Sequence, residues 1–336
     1  MNTHPIGSVT LRRAVQRVII GGACSLVAAG AVAQPAGEWP TKTLRVVCPF
    51  APGGATDIFA RVLAQRLQAA FGQNFVVDNR GGAGGVIGTD LVAKAEPDGY
   101  TLVFTSDSPI TIGPNLYKNV PYDSLKDLTP ISKVVSVVNV LVANPKLKIN
   151  TVGDLLAQAK QRKAPFTYAS SGTGAFGHLT GELFRATTGI ELTHVPYKGG
   201  GPGITALIGG ETDISFATYP SVIPHTKSGR LTLVAVSNFK RSRLLPDTPT
   251  IAESGVPGFG VDNWQGLLAP PKMPRKIAIA LNNEIAAIAK TKEFSDVVNG
   301  QGAEADAVGL EAFAAFIRTD FARWKKIIDT NQIRGE

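Results

Sequence analysis

Short apolar runs alternate with amphipathic stretches along most of the chain, and this order limits the folds open to it. Leu44–Phe50 has the composition of a buried strand, and Thr56–Ala70 carries apolar residues at the spacing of a helix face. Repetition of strand and helix predicts the α/β class, with parallel sheets covered by helices on both faces. The other predicted strands are Phe75–Asp78, Tyr100–Thr105, Val134–Ala143, Phe166–Ala169, Leu192–Val195, Asp213–Phe216, Leu231–Val236 and Trp264–Ala269. The other predicted helices are Val86–Ala95, Thr151–Lys160, about 175–187, 202–209, 221–228, Arg275–Lys290, Glu293–Asn299 and Leu310–Asp329.

Two α/β units lie on either side of the β-branched run Val134–Ala143, and 336 residues are enough for two domains. The late strand at Trp264 and the three C-terminal helices need a sheet to cover. If they return to the first unit, the chain crosses between the domains twice. This organisation predicts a first domain of residues 34–140 with 262–336 and a second domain of residues 141–261, able to hinge around a cleft.

The first 33 residues, 1–33, have the layout of a secretory signal peptide. Arg12, Arg13 and Arg17 precede an apolar stretch rich in Gly and Ala, which ends in Ala31-Val32-Ala33. The stretch is short for a membrane span, which needs about 20 residues. Cleavage is therefore expected near Ala33 and Gln34, and the mature protein is expected in the periplasm. The residues leave open whether export uses the Sec or the twin-arginine route.

Charge and cysteine content exclude several classes of function. The formal net charge is +8 for the whole chain and +5 without the three arginines of the first segment. Lysine and arginine are scattered, without the basic stripe or aromatic platforms of a nucleic-acid-binding surface. Only Cys48 remains after cleavage, which excludes an intrachain disulfide and a cysteine metal site. His4, His194 and His225 lack metal-ligand spacing, so we expect no metal and no cofactor.

Four Gly-rich loops share one position, because each follows a predicted strand and opens a predicted helix. A helix N-terminus presents unpaired N–H groups and a partial positive charge, and glycine lets a ligand approach the backbone closely. A carboxylate or phosphate therefore binds such a loop without an arginine. Any one of these loops is equally well explained as a tight turn. The loops are residues 50–57, 81–85, 170–174 and 199–203.

Two enzyme functions can be weighed on the same loops. Gly172–Gly177 fits the dinucleotide pattern G-x-G-x-x-G, but Glu191, the acidic residue expected about 20 residues on, begins its strand instead of ending it. Ser171 and His178 are a candidate nucleophile and base, yet no orienting acid is evident. An exported serine esterase is kept as the alternative function.

Several further motifs are specific in combination. They are Pro49–Gly54 with Asp57, Val77–Gly85, Pro97–Thr101, Pro121–Asp123, His194–Gly199 and Leu245–Thr250. In order and spacing this set resembles the Bug family, also called TctC-type. These proteins are extracytoplasmic solute-binding receptors of tripartite tricarboxylate transporters. The resemblance extends from about Trp39 to the C-terminus.

The resemblance implies a two-domain venus-flytrap fold with type II periplasmic-binding-protein topology, and a small organic carboxylate held between the domains. It implies a monomer without enzymatic activity, which delivers its ligand to the membrane subunits of a transporter. The candidate ligand-binding residues are Phe50, Ala51, Gly53, Gly54 and Asp57 in the first loop, then Thr105, Ser106 and Ser108, then Ser170, Ser171, Gly172, Thr173, Gly174 and His178, and finally Ala217 and Thr218.

Two departures from the family pattern bear on the ligand. Many relatives carry Pro at the position of Ala51, so a looser loop is expected here. Many also carry an acidic or amide residue near Ala217 and Thr218, and its absence argues against an amino acid, whose ammonium group needs such a partner. Mono-, di- and tricarboxylates, aromatic acids and nicotinate-like molecules all stay open as ligands. A ligand-presenting receptor for a sensor kinase also stays open as an alternative function.

No arginine is expected to clamp the carboxylate. Arg61, Arg66 and Arg185 fall within predicted helices, beyond the loops that form the predicted mouth of the cleft. The anion is therefore expected to meet backbone N–H groups and the hydroxyls of Ser171 and Thr173.

Overall fold

Two β-sheets organise the described residues of this computed structural model, which are 39–50, 52–197 and 200–333. The predicted signal peptide lies outside these residues. The strands are β1 (Leu44–Cys48), β2 (Phe75–Asn79), β3 (Thr101–Ser106), β4 (Thr129–Val137), β5 (Asn139–Ala143), β6 (Phe166–Ser170), β7 (Leu192–Pro196), β8 (Ile214–Thr218), β9 (Thr232–Val236), β10 (Asn263–Ala269) and β11 (Ala303–Val308). The helices are α1 (Ala55–Phe71), α2 (Val86–Ala93), α3 (Gly113–Leu116), α4 (Val152–Gln161), α5 (Phe176–Thr188), α6 (Gly200–Gly209), α7 (Tyr219–Lys227), α8 (Arg275–Ile288), α9 (Lys292–Gly300) and α10 (Leu310–Thr330).

The two sheets form the centres of two lobes, and both are mixed. The first has the strand order β11-β4-β10-β3-β1-β2, and the second has the order β7-β6-β8-β5-β9. In the first sheet β1 is parallel to β2 and β3, while β10 is antiparallel to β3 and β4. In the second sheet β6 is parallel to β7 and β8, while β5 is antiparallel to β8 and β9. The predicted α/β class is confirmed, but the expectation of wholly parallel sheets was wrong.

The antiparallel strands arise where the chain passes between the lobes without a helix. Strands β4 and β5 were predicted as the single run Val134–Ala143, but only Val138 separates them and they join different sheets. The second passage follows β9 and ends at β10. The side chain of Asn238 accepts a hydrogen bond from the Asn139 N–H at 2.7 Å and donates one to the Val137 carbonyl at 3.1 Å. One side chain thus fixes both passages. The domain limits given above stay a prediction.

Apolar faces of the helices close each lobe. On α1, the side chains of Phe59, Leu63 and Leu67 are buried against the first sheet, as the helical spacing predicts. Full burial of each such side chain contributes roughly 1.5–3 kcal/mol to the free energy of unfolding. Helix α4 begins with a capping box, in which Thr151 and Asp154 each accept the other's backbone N–H at 3.0 and 2.9 Å. Of the helices that the structure describes, none is both long and apolar enough to cross a membrane.

Helix α10 belongs to both lobes. Its N-terminal half buries Phe313 and Ile317 beside Trp264 of the first sheet. In its C-terminal half, the Trp324 ring lies edge-on to Phe176 of α5, with ring centroids 5.9 Å apart. These three α10 side chains belong to the core, since they have at most 2 % of their surface exposed. The same helix therefore positions the start of α5 relative to the first lobe.

Candidate functional site

The candidate loops of each lobe lie along one edge of its sheet, because the strands before them are parallel. In the first lobe, β1 and β3 end at Cys48 and Ser106, on the same edge. In the second lobe, β6, β7 and β8 end together and lead directly to α5, α6 and α7. Ligands of open α/β sheets bind outside the carboxyl ends of the strands. The topology therefore places the candidate ligand-binding loops at one edge of each of the two sheets.

The first loop is held by the buried carboxylate of Asp57, which has only 3 % of its surface exposed. Asp57 accepts hydrogen bonds from the Gly53 N–H at 2.9 Å, from Arg61 Nε at 3.0 Å and from Asn79 Nδ2 at 2.9 Å. The same amide of Asn79 donates to the Phe50 carbonyl at 3.0 Å. Burial by itself raises the pKa of Asp57, but these hydrogen bonds outweigh it and hold the pKa below its ordinary value. Asp57 is therefore ionised and fixes the loop.

Two neighbouring segments lie next to this loop, namely residues 84–85 and the residues that follow β3. A Cβ placed at Gly85 would lie 3.1 Å from both Phe50 Cζ and Pro109 Cγ, so the Gly85 backbone lies close to both side chains. Ser108 Oγ donates to the Gly84 carbonyl at 3.3 Å. Ser106 is nearly buried at the end of β3, and Thr105 is fully buried within that strand. Of the first-lobe candidates, Phe50, Gly53, Gly54, Asp57 and Ser108 thus come together, Thr105 lies beneath them, and Ala51 is outside the described residues.

The second loop runs from Ser170 to Ala175 and is supported from below by two imidazoles. Ser170 Oγ lies 2.6 Å from His194 Nε2, and His178 Nδ1 accepts the Gly174 N–H at 2.9 Å. Ser171 and Thr173 are exposed on the outer side of the loop. No hydrogen bond joins Ser171 to His178 within the described part of the chain. The geometry of a Ser171 nucleophile and a His178 base is therefore not formed, since His178 Nδ1 is already occupied.

A cavity of about 110 Å³ lies beside the second loop and between the starts of three helices. It brings Ser170 and Ser171 together with Ala217 and Thr218, as the resemblance implies. None of the described residues that line it carries a charged side chain. The remaining lining residues are Ala169, Phe176, Gly177, Gly200, Gly203, Ile204, Ser215, Phe216 and Ser221.

The helices at this cavity begin without side-chain caps. Helix α5 follows Ala175 and α7 follows Thr218, and neither of these preceding residues accepts a first-turn N–H through its side chain. In the first lobe, which contributes none of the described lining residues, Gly54 before α1 also has no side chain to do so. The first N–H groups of a helix have no acceptor within the helix, and they carry its positive dipole end. The uncapped starts of α5 and α1 therefore offer N–H groups to an anion. The start of α7 offers fewer, because the Tyr219 N–H donates to the Val138 carbonyl at 2.8 Å and Pro220 has no N–H.

The two edges meet at Gly174 and Leu116. Gly174 adopts φ +77°, and a Cβ at this position would overlap Leu116 Cδ2 at the end of α3. Next to Leu116, the Tyr117 hydroxyl would lie 3.5 Å from a Cβ at Gly84. The second loop thus contacts the first lobe beside the segment that supports Phe50, while Gly53 has open space around its α-carbon.

Comparison with known proteins agrees with this arrangement. The family model described as the tripartite tricarboxylate transporter family receptor, TctC, matches residues 59–333. The chain belongs to this receptor family. The predicted family is thereby confirmed, and with it the prediction that the chain is a solute-binding receptor and not an enzyme.

Individual relatives cover nearly all of the receptor. Protein BugT of Bordetella pertussis is 39% identical over 305 residues, which are 90% of this chain and 94% of that protein. The structure of an R. palustris protein with adipate is 35% identical, with a TM-score of 0.75 over 88% of this chain and 99% of that one. The structure of the periplasmic binding protein BugD is 32% identical, with a TM-score of 0.71 over 89% and 100%. The receptor therefore has the fold of periplasmic binding proteins, as predicted.

Several residues that the structure brings to the candidate site were missing from the sequence-based set. His194 was dismissed as scattered, although its motif had been singled out. Leu116 and Tyr117 lie in a region for which no element was predicted. Gly200 and Gly203 belong to the fourth Gly-rich loop, whose position after a strand was the available signal. The arginines stay outside the cavity: Arg61 is bound to Asp57 and Asn79, and Arg185 to Glu182 and Asn331.

Proposed function

We propose that this receptor captures a small organic carboxylate between its two lobes and delivers it to the membrane subunits of a tripartite tricarboxylate transporter. The observation that carries the proposal is the uncapped start of α5, beside a cavity whose described lining has no charged side chain. In the first lobe, the start of α1 is uncapped as well. Such a site has donors for an anion, and none of its described lining residues is a carboxylate that would pair with a cation.

In the second lobe, the N–H groups at the start of α5 and the hydroxyls of Ser171 and Thr173 bind one carboxylate group. Hydrogen bonds to an ionised group are worth roughly 1.5–3 kcal/mol each. In the first lobe the Gly53 N–H is already used by Asp57. The contribution of that lobe therefore comes from the remaining backbone groups of residues 51–56 and from ordered water.

The class of ligand follows from the lack of charged side chains among the described residues that line the cavity. Ala217 and Thr218 offer no carboxylate to an ammonium group, which argues against an amino acid. The relative whose structure contains adipate is 35% identical to this chain, which supports an aliphatic dicarboxylate. We therefore place mono- and dicarboxylates before amino acids as ligands.

The proposal is tested by a thermal-shift screen of adipate and other carboxylates, followed by calorimetry on Thr173→Ala. A ligand at 100 times its Kd adds roughly 2.7 kcal/mol to the free energy of unfolding. Thr173→Ala is expected to weaken binding about tenfold, because it removes one hydroxyl donor. Thr187→Ala, at the exposed far end of α5, the helix that follows this loop, is the matched control and should bind normally. Stabilisation by lysine or arginine, but by no carboxylate that lacks an amino group, would refute the proposed ligand class.

Closure of the lobes is part of the proposed mechanism. We expect residues 34–140 with 262–336 to move against residues 141–261, about the two passages near Val138 and Asp262. Small-angle scattering should show one chain per particle and a smaller radius of gyration with saturating ligand. An unchanged radius with a tightly bound carboxylate would contradict the hinge.

Export and processing are proposed from the N-terminal sequence. The similarity to BugD supports a periplasmic location. Removal of residues 1–33 leaves a mature protein that begins at Gln34, and its intact mass in the periplasmic fraction tests this. A mass that includes the first 33 residues would contradict the cleavage.

A further inference from the structure

Two histidines from different elements stack directly beneath the second loop. His178 lies in the first turn of α5, and His194 lies in β7. Their rings are 3.9 Å apart between centroids and nearly parallel, at 14°. The ring of Tyr168, from β6, lies 5.0 Å from that of His194. The stack is largely enclosed, since His178 has 7 % of its surface exposed.

Each imidazole makes one hydrogen bond to the loop above it. His194 Nε2 lies 2.6 Å from Ser170 Oγ, at the start of the loop. His178 Nδ1 accepts the Gly174 N–H at 2.9 Å, at the end of the loop. A ring nitrogen that accepts an N–H carries no proton, so the neutral His178 ring has its proton on Nε2. The loop conformation seen here therefore requires neutral His178.

The charges around the stack favour the neutral form. Burial lowers the pKa of His178 below its ordinary value, although the carboxylate of Glu182 on the same helix acts in the opposite direction. Burial, and then the neighbouring His178, lower the pKa of His194 to about 4. The other titratable groups at the stack are Tyr168, whose hydroxyl donates to Glu182 at 2.7 Å, and Arg185, which pairs with Glu182 at 3.0 Å. Glu182 is thus shared between two donors.

We propose that His178 is a positioning residue for ligand capture, which holds the Gly174 backbone in the binding conformation only while its imidazole is neutral and stacked on His194. Protonation at Nδ1 would place a donor against the Gly174 N–H and a positive charge beside the second imidazole. The peptide at Gly174 then has to turn away, which disturbs the loop that carries Ser171 and Thr173. Capture of the ligand should therefore weaken at acidic pH. This inference rests on the proposed function.

The first test uses the ligand-free wild-type protein. Nuclear magnetic resonance should show the Gly174 amide and the His178 ring titrating together, with a midpoint below pH 6.5. His178→Asn supplies an amide oxygen at the position of Nδ1 and does not titrate, so the Gly174 amide should lose its pH dependence. If the chemical shift of the Gly174 amide does not change as His178 ionises, the proposal is overturned. This result does not depend on which ligand the protein binds.

The second test measures adipate affinity by calorimetry from pH 8 to one pH unit below the His178 midpoint that nuclear magnetic resonance gives. At pH 8, His178→Asn should bind within about threefold of wild type, and His178→Ala should bind about two- to tenfold more weakly, because one hydrogen bond is lost. At the lowest pH the wild-type affinity should have fallen at least threefold relative to His178→Asn. The ionisation of adipate affects both proteins equally, so it cancels in the ratio of the wild-type affinity to the His178→Asn affinity at each pH. His225→Asn, at the far end of α7, is the matched control and should keep the wild-type profile.

The outcomes separate this inference from the proposed function. Parallel profiles for wild type and His178→Asn would mean that His178 has only a structural role, and they overturn the inference while leaving carboxylate capture intact. Failure of adipate and the other carboxylates to bind wild type at pH 8 counts against the proposed function. The ligand-free titration of Gly174 then still decides the role of His178.

Discussion

Replacing Gly174 by valine is expected to weaken carboxylate binding at least 30-fold. Gly174 adopts φ +77°, where a residue with a Cβ costs about 1–2 kcal/mol, and the added Cβ would overlap Leu116 of the first lobe. The loop must therefore shift, which removes the Gly174 N–H from His178 and displaces Thr173. About 2 kcal/mol of lost binding free energy corresponds to about 30-fold in Kd. Calorimetry with a carboxylate identified in the screen measures the effect.

Gly189→Val is the matched control for this substitution. Gly189 ends α5 with φ +71°, and a Cβ there meets no atom within 4 Å. Both variants should lose a similar amount of unfolding free energy from backbone strain, but only Gly174→Val should lose affinity. Adding Leu116→Ala to Gly174→Val removes the overlap and should recover part of the binding. Equal affinities for the two valine variants would mean that the second loop does not hold the ligand.

Periodicity in the sequence was enough to predict most elements, because it reflects which face of a helix or strand is buried. The face of α1 with Phe59 and Leu63 illustrates this, since both side chains are buried against the sheet. The Gly-rich loops were predictable for a related reason. Strand, glycines and helix follow one another in sequence, so their meeting at a sheet edge requires no distant contact.

Features made by distant contacts could not be predicted in this way. The run Val134–Ala143 is mostly apolar, and the point at which it divides between two sheets, Val138, depends on Asn238, about a hundred residues later. Strand β11 alternates alanine with acidic residues, and it is a strand because β4 provides an edge to pair with. His194 reaches Ser170 only because β6 and β7 are parallel neighbours. Sequence patterns show burial, whereas these features depend on which buried surfaces meet.

Asp57→Ala is expected to lower the free energy of unfolding by about 2–3 kcal/mol and the carboxylate affinity at least tenfold. The substitution removes the carboxylate that accepts from the Gly53 N–H and from Asn79 Nδ2, and hydrogen bonds to a charged group are worth about 1.5–3 kcal/mol each. The first loop then loses the bonds that fix its backbone towards the cleft. Denaturant unfolding and calorimetry measure the two effects.

Two controls and the pH dependence identify the cause of that loss. Arg61→Ala should have a smaller effect, because the Arg61 side chain is 52 % exposed and the bonds from Gly53 and Asn79 remain. Asp296→Ala, which removes an exposed ion pair with Lys292, should leave affinity unchanged.

Because the folded pKa of Asp57 lies below its ordinary 3.8, the contribution of Asp57 to the free energy of unfolding is complete above about pH 5 and is lost as the pH falls through the folded pKa. The difference in stability between wild type and Asp57→Ala should therefore be constant from pH 8 to pH 5 and shrink below pH 3.8. A difference that grows towards acid would mean that Asp57 is protonated in the folded protein and that another group holds the loop.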